Sequence, residues 1–161
     1  MPRIHTTTFI AAPAERVFDL SRHIALYKLI FQSRKEKLTS GAASTLIGKN
    51  ETITVIAKHA GRLRMSMMKV TAFQRPSLFI EEQVKGDLQN YKHEHHFKPV
   101  ENGTIVIDIL EFDIPKDIIG KIFGKVYFRK YLEEILRKRT ELIRNYAETE
   151  KFNLPQWPTP R

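Results

Sequence analysis

The chain has 161 residues, 42% of them hydrophobic, and no cysteine; this length suits one domain with a sizeable core, and the missing thiols exclude a disulfide framework and thiolate chemistry. The formal charge of +9 predicts attraction to something acidic, whether an anionic membrane surface, a nucleic acid, a ribosome or an anionic ligand. The basic residues are nevertheless spread over 34–37, 62–64 and the C-terminal segment, and no zinc-finger, helix-turn-helix or RNP signature accompanies them, which argues against nucleic acid.

In chain order, residues 3–10 (RIHTTTFI) are rich in β-formers and read as a first strand. Pro13 ahead of Val17, Phe18 and Leu20 predicts a short amphipathic helix to about Arg22, followed by a second helix or turn over 24–31. Residues 34–40 read as a strand and the small, polar stretch 41–48 as a loop. From Glu51 the strands come regularly: 51–59 and 62–73 around an Ala60-Gly61 turn, then 78–84 after the break at Arg75-Pro76-Ser77. Strands over 91–98 and 104–113 complete the run, the first after Gly86-Asp87 and the second after Glu101-Asn102-Gly103. Asn-Gly is a strong hairpin signal because both residues accept positive φ.

The rest of the chain is organised around residues 117–149, which read as one long helix. Ile119, Ile122, Phe123, Val126, Phe128, Tyr131, Leu132, Ile135, Leu136, Leu142, Ile143 and Tyr146 recur at three- and four-residue steps, with lysine, arginine and glutamate between them. Asp117 is the expected N-cap, with Pro115 just ahead. At ~1.5 Å per residue the helix is roughly 45–50 Å long. One apolar stripe of that length needs a surface to cover, and a run of strands followed by a helix predicts an α+β fold. The expected layout is a single domain over 1–149 and a proline-rich tail over 150–161, containing Trp157. Residues 1–20 lack the apolar segment of a secretory leader, and no run of 18 apolar residues occurs, so a cytoplasmic location is expected.

Several strings carry a resemblance. They are Glu51-Thr52-Ile53-Thr54 with Ala57 and His59-Ala60-Gly61, Arg75-Pro76, Phe79-Ile80-Glu81-Glu82-Gln83 and His93-Glu94-His95-His96-Phe97. Gly103-Thr104 with Asp108, then Pro115 with Ile119-Gly120, Phe128 and Tyr131-Leu132, continue the order. Together they span residues 3 to about 147 and resemble the helix-grip superfamily: START domains, birch-pollen-allergen-like proteins, polyketide cyclases and coenzyme-Q-binding proteins, grouped as SRPBCC. Within it the chain is most similar to a bacterial "cell-division inhibitor-like" subgroup, from which it departs at Val55 and Ala60, where that subgroup carries aromatics. The resemblance implies a curved antiparallel sheet of about seven strands, two short helices and a long C-terminal helix. Between sheet and helix it implies a cavity for a hydrophobic or amphipathic small molecule such as a lipid, isoprenoid or polyketide.

If Glu101 faces Thr104, then Phe97 faces Asp108, His95 faces Leu110 and His93 faces Phe112. One face of this hairpin is Tyr91, His93, His95, Phe97, Val106, Asp108, Leu110 and Phe112, and it is the expected cavity face. Glu82 shares a face with Leu78, Ile80 and Val84 and is expected inside; Ile53, Val55, Ala57 and His59 share one with Arg64 and Met68, while the alternative face, with Leu63, Met65 and Met67, is almost as apolar. The candidate ligand-binding set is therefore His59, Arg64, Glu82, His93, His95, Asp108 and Phe112, with Phe123, Tyr127 and Tyr131 on the helix. Three roles remain open for the polar members: a buried network bracing the sheet, contact with a ligand's polar end, or acid–base chemistry. His93 and His95 on one side of a strand could begin a metal site with His59 or Glu82, but no motif demands it, and neither metal nor cofactor is expected.

The expected function is binding of a hydrophobic or amphipathic small molecule without chemistry. The alternatives are a cyclase- or hydrolase-like enzyme using the cavity histidines and Glu82, or a basic protein associated with a ribosome or nucleic acid. Gly120 and Gly124 near the start of the helix suggest a ligand gate, and the lysines among Ile118, Ile119, Ile122, Phe123 and Val126 suggest peripheral contact with an anionic bilayer.

Overall fold

A computed structural model describes residues 1–59, 61–114 and 121–149. Ala60, Pro115, Asp117, Gly120 and the tail with Trp157 lie outside the described residues, and with them the expected N-cap and the first of the two helix glycines. The elements are β1 (Arg3–Ile10), α1 (Ala14–Ser21), α2 (Ile24–Gln32), β2 (Lys37–Ser40), β3 (Thr52–His59), β4 (Arg62–Gln74), β5 (Leu78–Lys85), β6 (Gln89–Val100), β7 (Gly103–Asp113) and α3 (Lys121–Glu148). All the strands form one antiparallel seven-stranded sheet in the order β1-β7-β6-β5-β4-β3-β2. The two chain-end strands meet because β1 lies against β7, while α1 and α2 carry the chain to the far edge of the sheet.

β7 shows why the sheet has a dry face. Thr104, Val106, Asp108, Leu110 and Phe112 are all buried, alternating with half-exposed neighbours, as a period of two requires. Pairing them with Tyr91, His93, His95 and Phe97 of β6 makes a continuous inner wall. α3 lays Phe128, Leu132, Leu136, Arg139, Ile143 and Ala147 on that wall, at the steps that keep one helix face inward. Its last turn is held from α1, where Arg16 donates through Nε to the Ala147 carbonyl at 3.0 Å and through a terminal nitrogen to that of Tyr146 at 2.8 Å. A guanidinium on the final carbonyls satisfies acceptors that no helical N–H can reach.

Three details depart from the expected layout. The strand expected over 34–40 begins only at Lys37, because Arg34 and Lys35 donate their N–H groups back to Phe31 and Gln32 and Lys35 turns at φ +60°. The β6–β7 turn is Glu101-Asn102, with Val100 opposite Gly103 and Asn102 at φ +66°, so the register is two residues from the expected one. Because the slip is even, every side chain keeps its face, but the opposing pairs change: His95 faces Asp108, and His93 faces Leu110. Gly103 serves a different purpose from the turn conformation expected of it. A Cβ there would sit 2.4 Å from the Ile10 carbonyl oxygen, so only glycine lets the end of β1 approach the hairpin.

Candidate functional site

A further departure, in β5, shapes the site. The inner residues of that strand are Phe79 and Glu81, both buried, rather than the expected Leu78, Ile80 and Glu82. Three aliphatics on one face suggested the core, but here they lie on the outer side of the sheet, where Val84 is 54% exposed. The pairing of Glu81 with His93 then carries its carboxylate, not that of Glu82, into the molecule.

Glu81 joins a buried polar cluster. The Tyr27 hydroxyl, from α2, donates to Glu81 Oε1 at 2.7 Å, and His95 Nε2 lies 3.2 Å from Glu81 Oε2. On the other side of the same ring, His95 Nδ1 is 2.6 Å from Asp108 Oδ1, which also takes His93 Nε2 at 3.1 Å. Arg139 enters from α3. One terminal nitrogen donates to the Ser21 carbonyl at 2.6 Å; the other lies 2.6 Å from His95 Nδ1 and 3.4 Å from Asp108 Oδ1. Nδ1 cannot accept from Arg139 and donate to Asp108 at once. The His95 ring bridges the Glu81 and Asp108 carboxylates through its two nitrogens, and the Arg139 guanidinium supplies positive charge beside them. Among the described residues, no fully enclosed side-chain nitrogen or oxygen lacks a partner, so the cluster meets the condition under which buried charge is tolerable.

The cluster also sets its own protonation. Burial pushes Glu81 up, but the hydrogen bond from His95 and the charges of His95 and Arg139 outweigh it and hold the carboxyl at about 2. Asp108, likewise raised by burial, is brought well below the usual carboxylate range by His93 and His95. His93 is lowered to about 4, first by burial and then by the neighbouring His95, and is neutral at pH 7.

Beside this cluster lies a cavity between α3 and the sheet, in two adjoining chambers. The outer chamber holds about 600 Å³ of empty space, open solvent at its mouth included, and water centres reach about 80 Å³ of it. It is lined by Val55, Ala57 and His59 of β3, Arg64, Ser66 and Met68 of β4, and Phe128, Tyr131, Leu132 and Ile135 of α3. The inner chamber, where water centres reach about 50 Å³, ends on Tyr27, Glu81, His93 and Arg139. Phe31, Val55, Met68, Tyr91, Leu132 and Ile135 line both, so the two chambers share a wall.

A seven-stranded antiparallel sheet gripping a long C-terminal helix over such a space has solved counterparts. A protein from Thermus thermophilus is similar at 20% identity, covering 88% of this chain and 97% of its own, with a TM-score of 0.69. The Zhui aromatase/cyclase from Streptomyces sp. R1128 is 12% identical over 91% of this chain and 93% of its own, with a TM-score of 0.69. A START superfamily protein from Mycobacterium smegmatis is 14% identical over 91% and 97%, with a TM-score of 0.61. The fold is helix-grip. No family model matches the sequence, and no curated protein matches it.

Within the helix-grip frame the expected site residues divide. His59, Arg64, His93 and Tyr131 line the cavity. His95 and Asp108 do not: His95 is 0% exposed and Asp108 is buried behind it, so both are spent on the internal cluster. Phe112 packs in the core with Ile4, Leu110 and Phe128. Glu82 faces outward, and Phe123 is 81% exposed. Tyr127 stands at the rim, 45% exposed, with its hydroxyl 3.0 Å from His59 Nδ1. Burial, helped by the charges of Arg34 and Arg64, holds His59 below its ordinary range, and its ring packs against those of Tyr127, Phe128 and Tyr131. Tyr131 is pinned by donation to Glu36 Oε2 at 2.9 Å, with the Arg34 guanidinium 4.7 Å from its ring centre.

Sequence reasoning missed Tyr27, Glu81 and Arg139. Only Arg139 left a signal: it falls three residues after Leu136 and four before Ile143, within the apolar stripe. A metal would have Glu81, His93 and His95 available, with donor atoms within 4.8 Å of one another. Those atoms already serve the cluster, and a dication there would sit beside the Arg139 guanidinium, so the donor set does not suit one.

Proposed function

We propose that this helix-grip protein binds a compact, largely apolar small molecule in the two-chambered cavity and does no chemistry on it. The observation that carries this reading is the pair of adjoining, largely apolar chambers between sheet and helix, one bounded by His59 and the other by Glu81 and His93. The modest size of the two chambers favours one or two fused rings over a long acyl chain. The polar wall supports binding rather than catalysis. Glu81 near 2 is no proton donor at neutral pH, His93 near 4 is a weak base, and His95 has no face on the cavity. Native mass spectrometry of the protein purified from its own host tests the proposal. A co-purifying apolar species of that size is expected; a protein that carries nothing and takes up no neutral aromatic probe would overturn it.

The rim supports docking on an anionic bilayer as the route of loading. Phe123 at 81% exposure and Tyr127 at 45% lie one helical turn apart, with Val126 between them and Leu63 at 76% on the β3–β4 hairpin. Lys58, Arg62, Lys125 and Lys130 are exposed around these apolar residues. Apolar side chains that insert, ringed by cations that meet lipid phosphates, suit an interfacial contact. No helix among the described residues is long and apolar enough to cross a membrane.

A further inference from the structure

Tyr91 stands apart from the other polar groups of the cavity. It is 9% exposed and lines both chambers at their junction. Its neighbours on the end wall, Tyr27, Glu81, His93 and Arg139, are each hydrogen-bonded within the protein. Among the described residues the Tyr91 hydroxyl has no hydrogen-bond partner, and it is not among the fully enclosed atoms, so it opens onto the cavity. A buried phenol left unpartnered is unfavourable unless something arrives to accept its proton.

The backbone is shaped to place it there. The β6–β7 register shifts between Gln89 and Lys92, and Asn90 takes φ +50°. The β5–β6 ladder ends at Glu82 opposite Lys92, so Tyr91 lies just beyond the paired region. Tyr91 keeps the alternation of His93, His95 and Phe97, so the pleat itself carries the phenol to the inner side, and the bulge lies where its strand leaves the ladders.

We propose that Tyr91 is the hydrogen-bond donor that orients and selects the ligand, and that the ligand carries a neutral oxygen acceptor of the ketone, quinone or ester-carbonyl type at the point where the two chambers meet. This rests on the cavity-binding reading above. An anionic acceptor is disfavoured there because Glu81 and Arg139 on the adjoining wall already offset one another and the remaining surroundings are apolar. Rings would then occupy the outer chamber, with the carbonyl at the junction and a short apolar end among Ile53, Leu110 and Leu136 of the inner chamber.

The test compares two bicyclic probes that differ by one oxygen, 1-tetralone and tetralin, as competitors of the neutral dye N-phenyl-1-naphthylamine on wild type and on Tyr91→Phe. The variant removes a hydroxyl that has no internal partner, so its unfolding midpoint should match wild type. Tetralone affinity should fall roughly three- to tenfold in the variant, the span of one neutral hydrogen bond, and tetralin affinity should stay within about twofold. Equal changes for both probes, or none for either, would overturn the role of Tyr91 and leave cavity binding standing. Failure of both probes and of the dye to bind wild type would overturn the cavity reading, and the Tyr91 proposal with it.

Discussion

His95 and Asp108 face each other directly across the β6–β7 ladder, and Nδ1 of the one lies 2.6 Å from Oδ1 of the other. Asp108 Oδ1 is also the acceptor for His93 and lies within reach of Arg139, so one carboxylate oxygen ties β6, β7 and α3 together. Asp108→Asn should therefore cost about 3 kcal/mol or more, because it leaves buried cationic and imidazole donors without their shared charge. Urea unfolding of the two proteins measures this, and a loss below about 1 kcal/mol would mean that the cluster does not brace the sheet.

Acid should destabilise the fold in two stages. His93 has a folded value near 4 against 6.5 unfolded, so between those values the unfolded chain binds the extra proton. Stability is then full above pH 6.5 and falls as pH drops toward 4, by on the order of 3 kcal/mol. Glu81 is depressed from 4.5 to about 2, so its contribution is present above 4.5 and is lost as pH falls through 2. His93→Gln should flatten the upper stage and leave the lower one. Unfolding midpoints at half-unit steps from pH 7 down to about pH 2 resolve the two, and an unchanged slope in the variant would remove His93 from the account.

Filling the outer chamber should abolish probe uptake without unfolding the chain. Ala57 is buried on its wall, and Ala57→Leu would place a side chain where the ligand's rings are proposed to lie. A loss of affinity of tenfold or more for N-phenyl-1-naphthylamine is expected, at an overpacking cost of about 1–3 kcal/mol. Unchanged affinity in a folded variant would place the probe elsewhere.

Vesicle flotation separates the two contributions at the rim. Binding to vesicles containing phosphatidylserine should weaken in Leu63→Ser and Phe123→Ser and weaken again with rising salt, since screening shortens the reach of Lys58, Arg62, Lys125 and Lys130. Equal flotation by wild type and both variants would exclude insertion of these side chains.

Gly103→Ala tests the close approach between β1 and the β6–β7 hairpin. The added Cβ would meet the Ile10 carbonyl oxygen at 2.4 Å, so that backbone must move, and a loss of roughly 1–3 kcal/mol is expected. A neutral effect on the unfolding midpoint would show that the strand ends yield freely.

The fold was legible in the sequence where periodicity is strong. β1 begins and ends at the residues where its β-formers do, β7 alternates without interruption, and the apolar steps of α3 survive in Phe128, Leu132, Leu136 and Ile143. Parity along β6 and β7 was legible too, which is why His93, His95 and Asp108 were expected inside. β5 misled, because its aliphatic residues lie on the outer side of the sheet and its inner side carries a charge. Phe123 misled as well: hydrophobic steps near the start of α3 continue past the edge of the surface they cover.

By itself, then, the sequence determined which segments are strands and helices and which side of each hairpin strand is dry, since both follow from local spacing. Tertiary structure alone decided that Glu81 rather than Glu82 meets His95, that Tyr27 and Arg139 complete the cluster, that His95 is sealed from the cavity, and that Tyr91 is left open to it. Those outcomes depend on register between strands and on the docking of α2 and α3. Register and docking are set by contacts between residues distant in the chain, which no single segment's pattern encodes.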